Sequence, residues 1–481
     1  MQGMPLQHLV IAPIALPLLA ATLCLAAPRA SRAISLCSAL ATLAVSVFLV
    51  ATAASGDALV YLLGNWRAPF GIALLSDRLG AWAVLATAWV LCGVLLFSIG
   101  AGRDKGAYFH PLYQVLWMGV NGAFLTADVF NLFVFFEVML VGSYGIALQG
   151  AGMAEARATL RYVAINLAGS ALFLIAAGLL YGVCGTLSMA DLALRLPALQ
   201  GADRALALSG AGLLAVVFLL KAAALPLSAW LPQTYGGVSP ASAASFTLLT
   251  KLGAYGMLRV VSLWGGTLFD ANWIAVVMAC GAGTVLLAGA GALASLSLAR
   301  VAAWGVLGSS GLLLIVFCSG SPQALAGGLF YLPPSAMCAS ALFLVADLHR
   351  RNRLADGKLW LLIAAVGVAG LPPLAPFLAK LQALDGLFAA PDLHGLAWLI
   401  LAASLLTLTG LARVALRLAG AGGEPANKVE HLALAWLCGG ALAMSTLAAP
   451  IQRYTAVAAS ELAAPQAYIR QVLDAVPVGG R

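Results

Sequence analysis

Charge is what this chain of 481 residues has least of: Asp, Glu, Lys and Arg together make up 9% of it. So few charged side chains cannot coat a soluble domain of this length. With 63% hydrophobic residues and a mean hydropathy of +1.00, the chain reads as an integral membrane protein. Paired cysteines are missing as well. Cys24, Cys37, Cys92, Cys184, Cys280, Cys318, Cys338 and Cys438 all fall in apolar runs without a C-x-x-C spacing, and read as small core residues. The five histidines form no i, i+4 pair, so no metal site is visible. Neither a Walker loop nor a strand-bounded glycine fingerprint occurs, so no nucleotide cofactor is expected. The net charge of +8 includes no basic cluster interleaved with aromatics, which argues for membrane topology and against nucleic-acid binding.

What is abundant is apolar runs of about 20 residues, the length of a membrane span. They predict an all-α polytopic membrane protein of about fourteen helices, near 7–27, 33–54, 79–101, 110–127, 129–149, 162–184, 206–231, 239–262, 272–295, 301–319, 323–346, 359–388, 394–417 and 430–449. The first run lacks the positive flank of a signal peptide and is expected to remain as a span. Val60–Leu79, with Trp66, Arg67 and Pro69, reads as a turn or short hairpin at the outer interface. The amphipathic stretch Leu187–Leu199 is too short to span and is expected on the outer surface. Loops bearing Arg29, Arg32, Arg103, Lys105, Arg157, Arg161, Arg300, Arg350, Arg351 and Arg353 form the more basic side. Those bearing Arg67, Arg78, Arg195, Arg204, Arg453, Arg470 and Arg481 form the other, so both termini are predicted outside.

Against that apolar background a few ionisable residues stand inside spans, and an ionisable residue at membrane depth is by default a functional-site hypothesis. Lys221 and Lys251 flank the stretch KAAALPLSAWLPQTYGGVSPASAASFTLLTK, in which Pro226 removes a backbone donor and breaks the first helix just beyond Lys221. Glu137 lies in the middle of FNLFVFFEVML, where a carboxylate needs a partner or a proton; Lys221 is the expected partner. The pattern returns at VGVAGLPPLAPFLAK, where Gly370, Pro372 and Pro373 interrupt a long run ahead of Lys380. A broken helix beside a lysine, once in each half, predicts two five-helix bundles related by inversion. The corresponding division is an N-terminal segment 1–109, bundles at 110–262 and 263–417, and a C-terminal helix with an outer tail at 418–481. For these lysines the bland readings are a pair that only fixes helix packing, or snorkelling of Lys380 toward an interface near Asp385.

The run FLTADVFNLFVFFEVMLVGSYGIAL looks very like the signature of the D-type subunit of Mrp-type (Pha-type) monovalent cation/proton antiporters. FLLKAA, PLSAWLP, TKLGAYGMLRV and GLPPLAPF, and more weakly QAYIRQVLDAV, resemble the same family. More loosely the chain is similar to the antiporter-like subunits of respiratory complex I and membrane-bound hydrogenases. The resemblance implies a non-enzymatic, cofactor-free subunit of a hetero-oligomeric complex in the bacterial inner membrane, exchanging H⁺ for Na⁺ or K⁺. Proton translocation would fall to Glu137, Lys221, Lys251 and Lys380. The alternative it leaves open is a proton-pumping membrane subunit of a redox-driven complex. The chain also departs from the family pattern: Ser228 stands where relatives usually have histidine, and Pro334, Ser335 and Ala339 stand where titratable groups are common. A path from Lys251 to Lys380 then needs water, helped by Ser309, Ser310, Tyr331 and Ser340.

Overall fold

The computed structural model describes residues 6–149, 152–420 and 422–476, so the extreme termini, Arg481 among them, lie outside the described residues. Helices dominate. In chain order they are α1 (Ala12–Ala26), α2 (Ser31–Ala54), α3 (Arg78–Gly100), α4 (Phe109–Leu125), α5 (Val129–Leu148), α6 (Met153–Cys184), α7 (Met189–Arg195), α8 (Gly201–Lys221), α9 (Trp230–Tyr235) and α10 (Pro240–Ser245). There follow α11 (Leu249–Leu268), α12 (Ala271–Ala294), α13 (Leu298–Cys318), α14 (Pro322–Arg350), α15 (Lys358–Ala369), α16 (Ala375–Phe388), α17 (His394–Ala419), α18 (Lys428–Thr446), α19 (Ala448–Ala463) and α20 (Gln466–Leu473). The expected hairpin is present: β1 (Leu59–Leu62) pairs antiparallel with β2 (Ala73–Ser76). The amphipathic stretch forms the short α7.

Caps written in the sequence start several of these helices. Asp77, Asp128, Asp270 and Asn427 each accept a backbone N–H from three residues on, which satisfies one of the donors a helix start leaves open. Among the described residues nine helices are long and apolar enough to cross a membrane, or ten if α18 and α19 count as one bent span. Helix occupies every one of the predicted runs, but in three of them the run is divided into two shorter helices. Length and composition alone support fewer spans than the predicted number, partly because α1 and α4 are only 15 and 17 residues long. The first two of these divisions are α8/α9 and α10/α11, and the third is α15/α16.

The molecule is packed around α14, whose side chains are almost all buried. Leucines such as Leu160, Leu167 and Leu405 and the indole of Trp398 are more than 60% exposed on peripheral helices, as expected of surface that meets lipid. Ion pairs close both ends of the bundle. At one end Arg103 and Arg351 hold the buried Asp347 at 2.8 and 2.6 Å, and Arg351 also reaches the buried Glu430 at 2.7 Å. At the other, Arg259 grips Asp77 through two bonds of 2.7 and 2.9 Å. Its guanidinium lies 5.0 Å from the ring of Tyr468, which anchors α20. Beyond α18 the chain turns by 82° into α19, which packs on α14, and helix covers most of residues 428–473.

Candidate functional site

The α8/α9 break begins at Lys221, and three side chains from elsewhere hold it open. Pro226 cannot donate to the carbonyl of Ala222, so that carbonyl takes the Ser310 hydroxyl at 2.5 Å. Trp230 Nε1 donates to Leu220 O at 3.2 Å, and Leu225 N–H to Thr284 Oγ1 at 2.7 Å. Gly253 on α11 allows this backbone to come close: a Cβ there would sit 2.7 Å from the Lys221 carbonyl carbon. Ser228 is buried within the break.

Lys221 is 4% exposed and donates to Asn166 Oδ1 at 3.3 Å, with its ammonium 5.6 Å from the Phe136 ring. Glu137, on α5, accepts the Ser170 hydroxyl. Ser170 also donates to the carbonyl of Asn166, one turn back on α6. The direct Glu137–Lys221 ion pair expected from sequence is therefore not formed. One face of α6 stands between the two charges and presents a hydroxyl to the acid and an amide to the base. Carboxylate and ammonium are linked through two neutral groups that can reorient.

Lys251, on α11, is fully buried, and donates to Thr247 O at 3.2 Å and to Ser309 Oγ at 3.1 Å. Thr247 bonds Ser340 of α14 through its hydroxyl at 2.7 Å, and Ser340 also donates to Ala244 O. In the α15/α16 break Gly370 has φ +75°, a conformation that strains a side-chain-bearing residue; a Cβ there would also lie 2.7 Å from the Lys380 ammonium. Lys380 reaches back from α16 to Ala369 O and to Ser404 Oγ on α17, each at 3.2 Å.

Beside Lys380 lies a cavity of about 30 Å³ whose walls include Ser309, the hydroxyl that Lys251 reaches, and Tyr331, Ser404 and Thr407. A site with several polar partners and that much room accepts a water molecule. Of the expected polar path, Ser309 and Tyr331 reach this cavity and Ser340 joins the Lys251 shell. Ser310 faces the first break, and Ser228 is buried within it. Pro334, Ser335 and Ala339 are buried in α14, where the Ser335 hydroxyl donates to Leu332 O. Sequence reasoning missed Asn166, Ser170, Thr247 and Ser404. Each is a small polar residue in an apolar span, a weak signal that packing residues share. Among the described residues no carboxylate lies within ion-pairing distance of any of the three lysines, and no cluster of metal-ligating side chains occurs.

The family described as NADH:quinone oxidoreductase/Mrp antiporter, transmembrane, matches residues 126–409, which contain all four ionisable positions. A probable K⁺/H⁺ antiporter subunit of the D type, from Rhizobium meliloti, is 38% identical, the match covering 99% of each chain. The D-type Na⁺/H⁺ antiporter subunit of Alkalihalophilus pseudofirmus is 32% identical over 97% of this chain and 100% of its own length. Among solved structures, a chain of the Mrp complex from Dietzia sp. superposes with a TM-score of 0.88 at 24% identity, covering 98% of this chain and 100% of that one. A chain of respiratory complex I from Thermus thermophilus gives 0.82 at 23% identity, covering 95% and 99%.

Proposed function

The chain belongs to the NADH:quinone oxidoreductase/Mrp antiporter family, and from that premise we infer that it is the proton-translocating subunit of a multi-subunit Na⁺ or K⁺/H⁺ antiporter of the bacterial cell membrane. The observation that carries the reading is the environment of Lys221, Lys251 and Lys380. Each is held by neutral oxygens alone; Lys221 and Lys380 sit at the two breaks marked by proline, and Lys251 lies in the first turn of α11, just past the α10/α11 break. An ammonium with no carboxylate against it can release its proton, because what remains is an amine accepted by the same hydroxyls and amides. Helix breaks at membrane depth persist where backbone meets protein or water, and two of them accompany these lysines.

The proposed path enters the first half at Lys221, with Glu137 modulating it through Ser170 and Asn166. It passes to Lys251 and leaves by Ser309, water beside Tyr331, and Lys380. Tyr331 and water stand in for the titratable groups absent at Pro334, Ser335 and Ala339. The two bundles, 110–262 and 263–417, are then two half-paths in series, and the helices at the fourteen predicted positions cross the membrane with both termini outside. Relatives named for antiport, at 30% identity or more over most of the chain, favour antiport over a redox-linked pump. The Na⁺ or K⁺ step is assigned to partner subunits, because among the described residues no cluster of metal-ligating side chains surrounds Glu137.

The test is reconstitution. The native complex in vesicles should exchange cation for protons under an imposed gradient, and this chain alone should not. Robust exchange by the isolated chain would refute the partner requirement. Copurification with electron-carrying subunits, and none of antiporter type, would replace this reading with the redox-linked one.

A further inference from the structure

Several arginines at the end of the bundle closed by Asp347 and Glu430 have an acidic partner. Arg350 takes Glu155, Arg103 and Arg351 take Asp347, and Arg32 takes Asp104. Three that have none lie together. Arg157 and Arg161 on α6 and Arg300 on α13 line an open hollow of about 800 Å³, together with residues of α9 and the end of α12. All three are exposed, and no acidic residue is in the lining. Arg161 is steered by a 3.2 Å bond to Gln233, whereas Arg157 and Arg300 have no hydrogen-bond or ion-pair partner among the described residues. Arg157 and Arg161 stand at i, i+4, a like-charge spacing that destabilises a helix unless an anion lies between them. The start of α13 adds to the positive field, since Ser297 makes no side-chain cap to its first N–H groups.

The hollow's level in the bundle identifies the kind of anion. It lies where α12 ends and α13 begins, at the boundary of two spans. Trp304, the aromatic typical of a membrane interface, is fixed there by a 3.0 Å bond to Ser295. Leu160 and Leu296 flank it, 68% and 64% exposed. Much of the remaining wall is apolar, from Ala154, Ala158 and Pro232. A free phosphate ion has no use for such a wall, whereas glycerol and acyl chains do.

We propose that this hollow binds the headgroup of an anionic phospholipid of the adjoining leaflet, with Arg157, Arg161 and Arg300 on its phosphate oxygens and its chains running past Leu160 and Leu296. Guanidinium forks suit phosphate in this geometry, and basic pockets between membrane helices are the usual sites for such headgroups. The site lies apart from the lysine path, so its readout is bound lipid and not transport.

The assembled complex is stripped of lipid in detergent and exposed to phosphatidylcholine vesicles with or without phosphatidylglycerol, and retained lipid is measured by native mass spectrometry. Wild type should retain phosphatidylglycerol in the presence of excess inorganic phosphate. The Arg157→Gln/Arg161→Gln/Arg300→Gln variant should retain at least about fivefold less, and the corresponding Arg→Lys variant should keep most of it. Equal retention by the Gln variant, or displacement by inorganic phosphate, overturns the proposal. A second measurement needs no arginine variant. Phosphatidylglycerol with a photoreactive headgroup should label the peptide spanning 291–304 in the wild-type complex, and absence of that label refutes the site. So does a crosslink to another subunit from p-benzoylphenylalanine in place of Leu296, which would mean that protein covers the hollow.

Discussion

The two helix breaks use the same carbonyl chemistry in opposite ways. In the first, Lys221 is the last residue of the helix before the break, and the carbonyl freed by Pro226, that of Ala222, is given to a serine hydroxyl from α13. The lysine is left to answer to Asn166 and, through it, to Ser170 and Glu137. In the second, the lysine is on the helix after the break, and the carbonyl freed by Pro373, that of Ala369, is taken by the lysine itself. The first site is closed by aromatic packing and has a carboxylate nearby. The second has no carboxylate in contact and opens onto a cavity. The pattern extends beyond the breaks. The carbonyl of Pro13, freed by Pro17, takes Asn121 Nδ2 at 2.8 Å, and that of Leu329, freed by Pro333, takes Trp82 Nε1 at 2.9 Å. Of these four carbonyls only Ala369 depends on an ionisable donor. On the proposed path the first break would hold a lysine under the influence of an acid, and the second would let one exchange protons with water.

The largest expected effects are at the first break. Glu137→Ala and Lys221→Ala should each lower proton-coupled cation exchange in vesicles at least about tenfold while the complex still assembles; retained exchange in both removes the acid's influence from the mechanism. Lys380→Ala decides whether the second break belongs to the same path. A loss comparable to that of Lys221→Ala is expected, and near-normal transport would show that the path ends in the first half. Lys251→Arg separates charge from titration, since a guanidinium keeps its proton at any physiological pH. That variant should assemble and fail to transport, because a group that keeps its proton cannot pass it on, and an active Arg variant would make the site an electrostatic anchor. Tyr331→Phe removes one cavity hydroxyl and should slow transport measurably but less than Lys380→Ala, since water can take the hydroxyl's place, with no change expected at the first break. Smallest is Ser310→Ala, which orphans the Ala222 carbonyl. It should cost about 1–3 kcal/mol of stability, read as a lower unfolding temperature of the complex.

Hydropathy made the helices legible, because each apolar run carries its own evidence, and both breaks were visible as prolines inside such runs. The four ionisable positions were legible as candidates because an ionisable group inside an apolar run is costly to keep. What stayed hidden depends on contacts between distant segments. Asn166 and Ser170 look like packing residues in AINLAGSALF until α6 is seen to lie between Glu137 and Lys221. Asp347 and Glu430 look like loop charges, and no local period reveals that three arginines, Arg103, Arg351 and Arg353, close over them. Arg259 and Asp77 find each other across 182 residues. The turn from α18 into α19 falls just ahead of Pro450, which cannot donate to the Thr446 carbonyl at the end of α18, and α19 then packs on α14.

The bond from Lys380 to Ala369 has a dynamic consequence. A lysine that carries a proton outward has to swing its amine away from where it loaded, and doing so here strips a buried carbonyl of its donor. Unless water follows into the gap, that carbonyl is orphaned at a penalty of about 1–3 kcal/mol, which pulls the side chain back. On the proposed path the second break would then act as a spring-loaded arm whose return stroke is stored in the backbone, with Gly370 leaving room where a Cβ would lie 2.7 Å from the ammonium.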